Sequence, residues 1–181
     1  VRATIDVRLP DRDTPAELWT LTLENQSDQP RQLVAVPYVE WVLGSSRSAS
    51  APYILTESDP VTGALCARSM LGGEFAGRIA FTDLAGTQTS WTGDRTEFLG
   101  RNGTVERPLA LETGDALSGN VGAGLDPCGA LQRSIELEAG ERAEVIWLFG
   151  QTAESAQARL LLNRYRGADV DALLGEVTRR W

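Results

Sequence analysis

Apolar and polar residues alternate from the first position. In VRATIDVRL, Val1, Ala3, Ile5, Val7 and Leu9 interleave with Arg2, Thr4, Asp6 and Arg8. A period of two predicts a half-buried strand with one solvated face. ELWTLTLEN repeats the pattern, with Trp19, Leu21 and Leu23 inward and Thr20, Thr22 and Glu24 outward. NQSDQP then supplies turn residues, closed by Pro30. RQLVAVPYVEWVL is apolar on both faces apart from Glu40, which predicts a covered strand. Pro37 has no N–H for a ladder, so it places that strand at an edge or at a bulge. GSSRSAS, residues 44–50, reads as a polar loop of small residues. Shorter strands are expected near Tyr53–Thr56, Ala64–Ser69 and Arg78–Thr82, with turn chemistry in ESDPVTG and LGGEFAG between them. Residues 100–129 are glycine-rich and aperiodic, which predicts loops with brief strands.

Regularity returns in LQRSIELEAGERAEVIWLF. Leu131, Ile135 and Leu137 face one way, AGE makes a hairpin turn, and Val145, Trp147 and Phe149 lie on the returning strand. Ile146 and Leu148 make that strand apolar on both sides, hence central. The last thirty residues change period. Thr152 is placed to cap a helix reaching about Arg166, with Ala156, Leu160, Leu161 and Tyr165 at helical spacing, and Gly167 ends it. A second helix puts Val170, Leu173, Leu174, Val177 and Trp181 on one stripe, wide enough to predict packing on more than this sheet. Strands first and helices last, without βαβ alternation, indicate a mainly β fold of antiparallel sheets, most simply a sandwich.

Charge and composition narrow the partners. A formal net charge of −8 argues against a nucleic-acid or anionic-membrane surface. No apolar run reaches bilayer length and no signal peptide is visible. Val1 opens directly on a strand pattern, so the sequence reads as a piece of a longer polypeptide. Cys66 and Cys128 match no metal motif and read as free buried thiols of a reducing compartment. The chain has no histidine, which removes Ser-His-Asp and Cys-His catalysis and the commonest zinc sites. Paired carboxylates of the glycosidase type remain open, Asp94 and Glu97 among them.

DRTEFLGRNGT, Asp94 to Thr104, concentrates the candidate chemistry. Asp94, Arg95, Arg101 and Asn102 are candidates for contact with a glucan or with the rim of an active site, since glycines let backbone approach a ligand. The competing reading has the arginines pairing with nearby carboxylates to fasten an irregular crossing. Trp91, in the polar QTSWTGD, is a candidate sugar platform, whereas Trp19, Trp41 and Trp147 sit in apolar strands and read as core. Glu40 is a lone acid in an apolar strand, either functional or paired to an Arg. GNVGAGLDPC lacks the Lys-Ser/Thr of a phosphate loop and reads as a structural turn region around Asp126-Pro127.

Four stretches, YVEWVLG (38–44), DRTEFLGRNGT (94–104), LSGNVGAGLDPCGALQ (117–132) and IELEAGERAEVIWLFGQ (135–151), resemble glycoside hydrolase family 94, the sugar phosphorylases formerly grouped as glycosyltransferase family 36. The likeness is strongest to the carboxy-terminal, phosphorylase-like part of cyclic β-1,2-glucan synthases and covers most of the chain. It implies a β-super-sandwich of the galactose-mutarotase-like kind over residues 1–151, short of upstream strands, and a helical linker over 152–181 toward an (α/α)6 barrel that carries the catalytic aspartate and the phosphate site. On that reading the chain holds no catalytic residue, metal or cofactor. It supports the barrel, borders its active site, and meets β-glucan or oligosaccharide through the parent enzyme, on the cytoplasmic side as part of an inner-membrane protein. The alternatives are an autonomous carbohydrate-binding module and a small hydrolase built on Asp94 and Glu97. The open sandwich edge and the uncovered helix stripe also predict self-association as a homodimer.

Overall fold

The strongest alternation in the sequence builds the spine of the fold. The computed structural model describes residues 1–10, 14–72 and 76–167. Its strands are β1 (Arg2–Arg8), β2 (Ala16–Glu24), β3 (Arg31–Ala35), β4 (Tyr38–Glu40), β5 (Ile54–Ser58), β6 (Leu65–Ser69), β7 (Ile79–Asp83), β8 (Ser90–Asp94), β9 (Pro127–Leu137) and β10 (Arg142–Thr152). Its helices are α1 (Arg47–Ser50), α2 (Arg95–Leu99), α3 (Leu109–Thr113) and α4 (Ser155–Arg166). All pairings are antiparallel, in one sheet ordered β1-β2-β10-β7-β6-β5 and a second built around β9. β10 lies between β2 and β7, as its two apolar faces require.

The second sheet has four strand segments but is only three strands wide. The register on β9 runs unchanged from Ala35↔Arg133 to Tyr38↔Ala130. β3 and β4 are therefore one strand interrupted at Val36-Pro37, where the Pro37 carbonyl still accepts from Leu131 N–H at 3.3 Å. The missing proline N–H breaks the ladder, and the interruption lies on an edge strand, where proline is tolerated. β8 occupies the other side of β9.

Between the sheets, Leu23, Leu65, Leu84, Leu131, Ile135, Leu137 and Val145 form the main core, continued by Trp41, Ile54, Ala67 and Ala80. Trp41 stacks on Phe149 with ring centroids 6.0 Å apart. Outside the six-stranded sheet, α4 buries Ala158, Leu162 and Tyr165 against Leu18, Phe81 and Leu148. Burying two large side chains there contributes roughly 3–6 kcal/mol. Outside the second sheet, Phe98 and Leu99 of α2 pack with Leu117, Ala130 and Tyr38.

Four sequence expectations change. The turn at AGE joins no hairpin, because β9 and β10 pair in different sheets. β1 is exposed on both faces, with Ile5 59% and Val7 52% accessible. Its odd-numbered residues do face inward, beside Leu21 and Leu23 of β2, but the three-strand sheet is too narrow to reach them. α4 begins at Ser155, because Thr152 still pairs with Ile79 as the last residue of β10. Its buried stripe is Ala158, Leu162 and Tyr165, while Leu160 is 70% exposed. Residues 44–50 are more regular than a loop, since they contain a short capped helix. The second helix expected around Val170–Trp181 lies outside the described residues.

Candidate functional site

The segment 94–104 is built from its caps. Asp94 ends β8 and accepts the Thr96 N–H at 2.9 Å, starting α2. The turn aims Phe98 and Leu99 into the core, where Phe98 stacks on Tyr38 at 5.0 Å. Glu97, three residues after the cap, does not reach back to it. Its carboxylate accepts Thr92 Oγ1 at 2.6 Å, Ser118 N–H at 2.7 Å and Ser118 Oγ at 2.9 Å. This ties α2 to the segment 118–120, which also runs along the outer edge of β8 through Gly93 N–H to Asn120 O and Gly119 N–H to Trp91 O.

Arg95 points the other way, into a charge quartet. Its Nε donates to Glu40 at 2.9 Å and its Nη1 lies 3.6 Å from Asp126. Arg47, delivered by the Ser46-capped α1, pairs with Glu40 at 3.0 Å and with Asp126. Tyr38 Oη completes the group by donating to Glu40 at 2.8 Å. Burial opposes the Glu40 charge, but the bonds from Tyr38 and Arg95 and the nearby Arg47 charge prevail and hold its carboxyl below the usual range. Burial, reinforced by the bond to Glu40, pushes the Tyr38 hydroxyl far up, so it stays a neutral donor. Two cations and two carboxylates thus pair with one another.

The five sequence candidates therefore divide. Asp94 is engaged as a cap and Arg95 in the quartet. Trp91 is half-buried against the main core, with its indole beneath Gly119 and a buried Nε1. Arg101 and Asn102 sit at the exposed tip of the following turn, and neither side chain has a hydrogen-bond or ion-pair partner among the described residues. That turn is compressed: a Cβ at Gly103 would overlap the Leu99 carbonyl. Arg47 is the residue the sequence reading missed. Its signal was Ser46, a capping residue in front of it. Beside the quartet a cleft of about 630 Å³ opens, lined by Val39, Glu40, Val42, Leu43, Phe149 and Arg78 among others. Among the described residues no group of three or more Asp, Glu, His or Cys is arranged to hold a metal.

The quartet and the Glu97 knot join three of the four fingerprint stretches, and the fourth, residues 135–151, crosses from β9 in the second sheet to β10 in the six-stranded sheet. The chain belongs to the glycosyl hydrolase 94 family, matching its supersandwich domain over residues 2–168. It is 35% identical over 170 residues to the cyclic beta-(1,2)-glucan synthase NdvB of Rhizobium meliloti (strain 1021), covering 94% of this chain and 6% of that protein. It is 27% identical over 169 residues to the cellobionic acid phosphorylase of Neurospora crassa, covering 91% of this chain and 21% of the relative. With the solabiose phosphorylase of Paenibacillus borealis the identity is 28% over 177 residues, covering 92% and 22%. The chain thus spans between 6% and 22% of the curated relatives it matches.

Proposed function

We propose that this chain is the non-catalytic sandwich portion of a larger family 94 enzyme acting on β-1,2-glucan or a related β-glucoside, supporting the catalytic barrel and bordering its active site. The observation that carries this reading is the internal satisfaction of the fingerprint's polar groups. Asp94 and Glu97, the residues with the chemistry for acid–base work, are committed to a cap and a three-donor knot, and Arg95 to an ion quartet. Arg101 and Asn102 remain exposed, and we place these two at the rim facing the barrel and its sugar. Residues 152–181 are assigned to the linker toward that barrel. The enzyme is placed on the cytoplasmic side of a membrane, a setting in which the two buried, unpaired cysteines stay reduced. Among the described residues no helix is long and apolar enough to cross a membrane.

The test incubates the purified chain with inorganic phosphate and β-1,2-gluco-oligosaccharides or cellobiose. No sugar phosphate or free glucose is expected above the blank, and turnover by the chain alone would overturn the assignment. An autonomous binding module is favoured by one observation, the cleft beside Glu40 with its apolar floor. Calorimetric titration separates the two: saturable micromolar binding of the same oligosaccharides by the isolated chain would select the module.

A further inference from the structure

The fold requires glycine at position 103, and that requirement makes the residue before it chemically labile. A Cβ at Gly103 would overlap the Leu99 carbonyl, so the turn after α2 accepts no side chain there. Asn102 precedes it, exposed at the tip and without a side-chain partner among the described residues. In an Asn-Gly pair the following backbone nitrogen reaches the side-chain amide carbon with least obstruction, because glycine has no Cβ to hinder the approach. The Gly103 nitrogen is also lightly held. It makes a turn bond to the Gly100 carbonyl at 3.2 Å, at the long end of the hydrogen-bond range, and belongs to no strand or helix. Exposed turns of this kind open locally at little cost.

The other three asparagines of the sequence lack these conditions. Asn25 is fully buried, its Nδ2 donating to the Gln29, Leu137 and Glu138 carbonyls and its Oδ1 accepting from Ser27. Asn120 precedes the branched Val121 and is held along β8 by the Gly93 N–H. Asn163 precedes Arg164 within α4, where the following N–H belongs to the helix ladder.

We propose that Asn102 is a site of spontaneous modification, deamidating through a succinimide formed with the Gly103 nitrogen. The Gly103 N–H gives its proton to solvent hydroxide, and the nitrogen bonds to Asn102 Cγ. The Cγ–Nδ2 bond then breaks and ammonia leaves, closing the ring. Water opens the ring at either carbonyl, leaving aspartate or an isoaspartate whose main chain runs through the side-chain carbon. The sum is amide plus water giving carboxylate plus ammonium, with nothing oxidised or reduced. Either product sets a carboxylate beside the Arg101 cation. Isoaspartate also lengthens the main chain of a turn in which Gly103 is already pressed against Leu99. The chemistry does not depend on the carbohydrate reading.

The purified chain, held in warm, mildly alkaline buffer, should shift progressively to a more acidic band on isoelectric focusing. Fragmentation mass spectrometry should locate the change at Asn102, with isoaspartate exceeding aspartate, while Asn25, Asn120 and Asn163 remain amides. The rate should rise with pH, as loss of the Gly103 proton requires. Asn102→Gln should abolish the acidic band, since glutamine closes the corresponding ring far more slowly. An acidic band that persists in this variant, a change found first at another asparagine, or aspartate formed without isoaspartate would overturn the proposal. So would an Asn102 that stays intact in the native chain but converts in the urea-unfolded chain, because the turn would then protect it.

Discussion

Replacing Arg166 by methionine is the most demanding test of how helix α4 is held. Arg166 donates from Nε to Asp83 Oδ2 at 2.9 Å, from Nη2 to Asp83 Oδ1 at 2.6 Å, and from Nη2 to the Thr62 carbonyl at 2.7 Å. The Asp83 side chain is fully buried, and its remaining donors are neutral: Gly86 N–H and Gln88 Nε2, both at 3.0 Å. Methionine keeps most of the aliphatic stem but leaves the carboxylate without a counter-charge in the interior. Breaking such a pair costs about 3–5 kcal/mol, against a total of about 5–15 kcal/mol for a domain. For a chain of this size that is a fall in Tm of roughly 6–20 °C. By contrast the Arg68–Glu57 pair, with side chains 35% and 38% exposed, falls in the class worth about 1 kcal/mol or less. Thermal and urea unfolding followed by circular dichroism provide the measurement. Adding Asp83→Asn to Arg166→Met removes the stranded charge and should recover at least about 1 kcal/mol. A loss below about 1 kcal/mol for the single variant, or no recovery in the double, would refute the reasoning.

Acid should expose a second anchor of the same helix. Burial opposes the charge on Asp59, but hydrogen bonds from Arg159, from Thr62 N–H and Oγ1 and from Val61 N–H outweigh it and lower the carboxyl from 3.8 to about 2. A carboxyl lowered on folding stabilises the native state fully above its unfolded value, and here that contribution, about 2 kcal/mol, disappears as pH falls from about 4 to 2. Arg159→Gln should flatten this acid limb in urea titrations, and an unchanged limb would remove Asp59 as its source. Gly103→Ala should cost roughly 2–4 kcal/mol by forcing its Cβ against Leu99, more than Gly114→Ala, where φ is 72° with open space around it. Equal losses would contradict the compressed turn. Ala85 holds φ 52° ahead of Gly86 at 74° in a two-residue turn closed by Thr87 N–H to Leu84 O. Ala85→Asn should therefore raise stability by about 1 kcal/mol, and a drop in Tm would count against the left-handed assignment.

Sequence periodicity made the sheets legible wherever both neighbours of a strand were present. β10 read as central because Ile146 and Leu148 are apolar behind Val145 and Trp147, and Pro37 marked an interrupted ladder. The same rule misled at β1, because alternation reports which face a strand is suited to bury and not whether a second layer extends over it. Short helices were obscured for a different reason: a single turn is too brief for a period of 3.6 to register. Only the caps announce such turns, Ser46 before α1 and Asp94 with Glu97 three residues on for α2. At the candidate site the sequence left two readings of Arg95, substrate contact or local pairing, because Glu40 lies 55 positions away in the chain. Arg47 and Asp126 complete that quartet only through the register of β4 on β9, information no local pattern contains.

Arg159 and Arg166 stand seven residues apart on α4, two helical turns, and grip two carboxylates, Asp59 in the β5–β6 connection and Asp83 at the end of β7. One such grip would let the helix roll about its axis or slide along the strands, but two at that spacing oppose both motions. The helix lies over β10 and β7, the interior strands of the sheet, and not over its borders. Any load carried along α4 is therefore delivered to strands hydrogen-bonded on both sides, where separation means shearing two ladders at once. The edge at β1 peels one ladder at a time. The domain is consequently stiffest across its middle strands, where four side chains fix the helix.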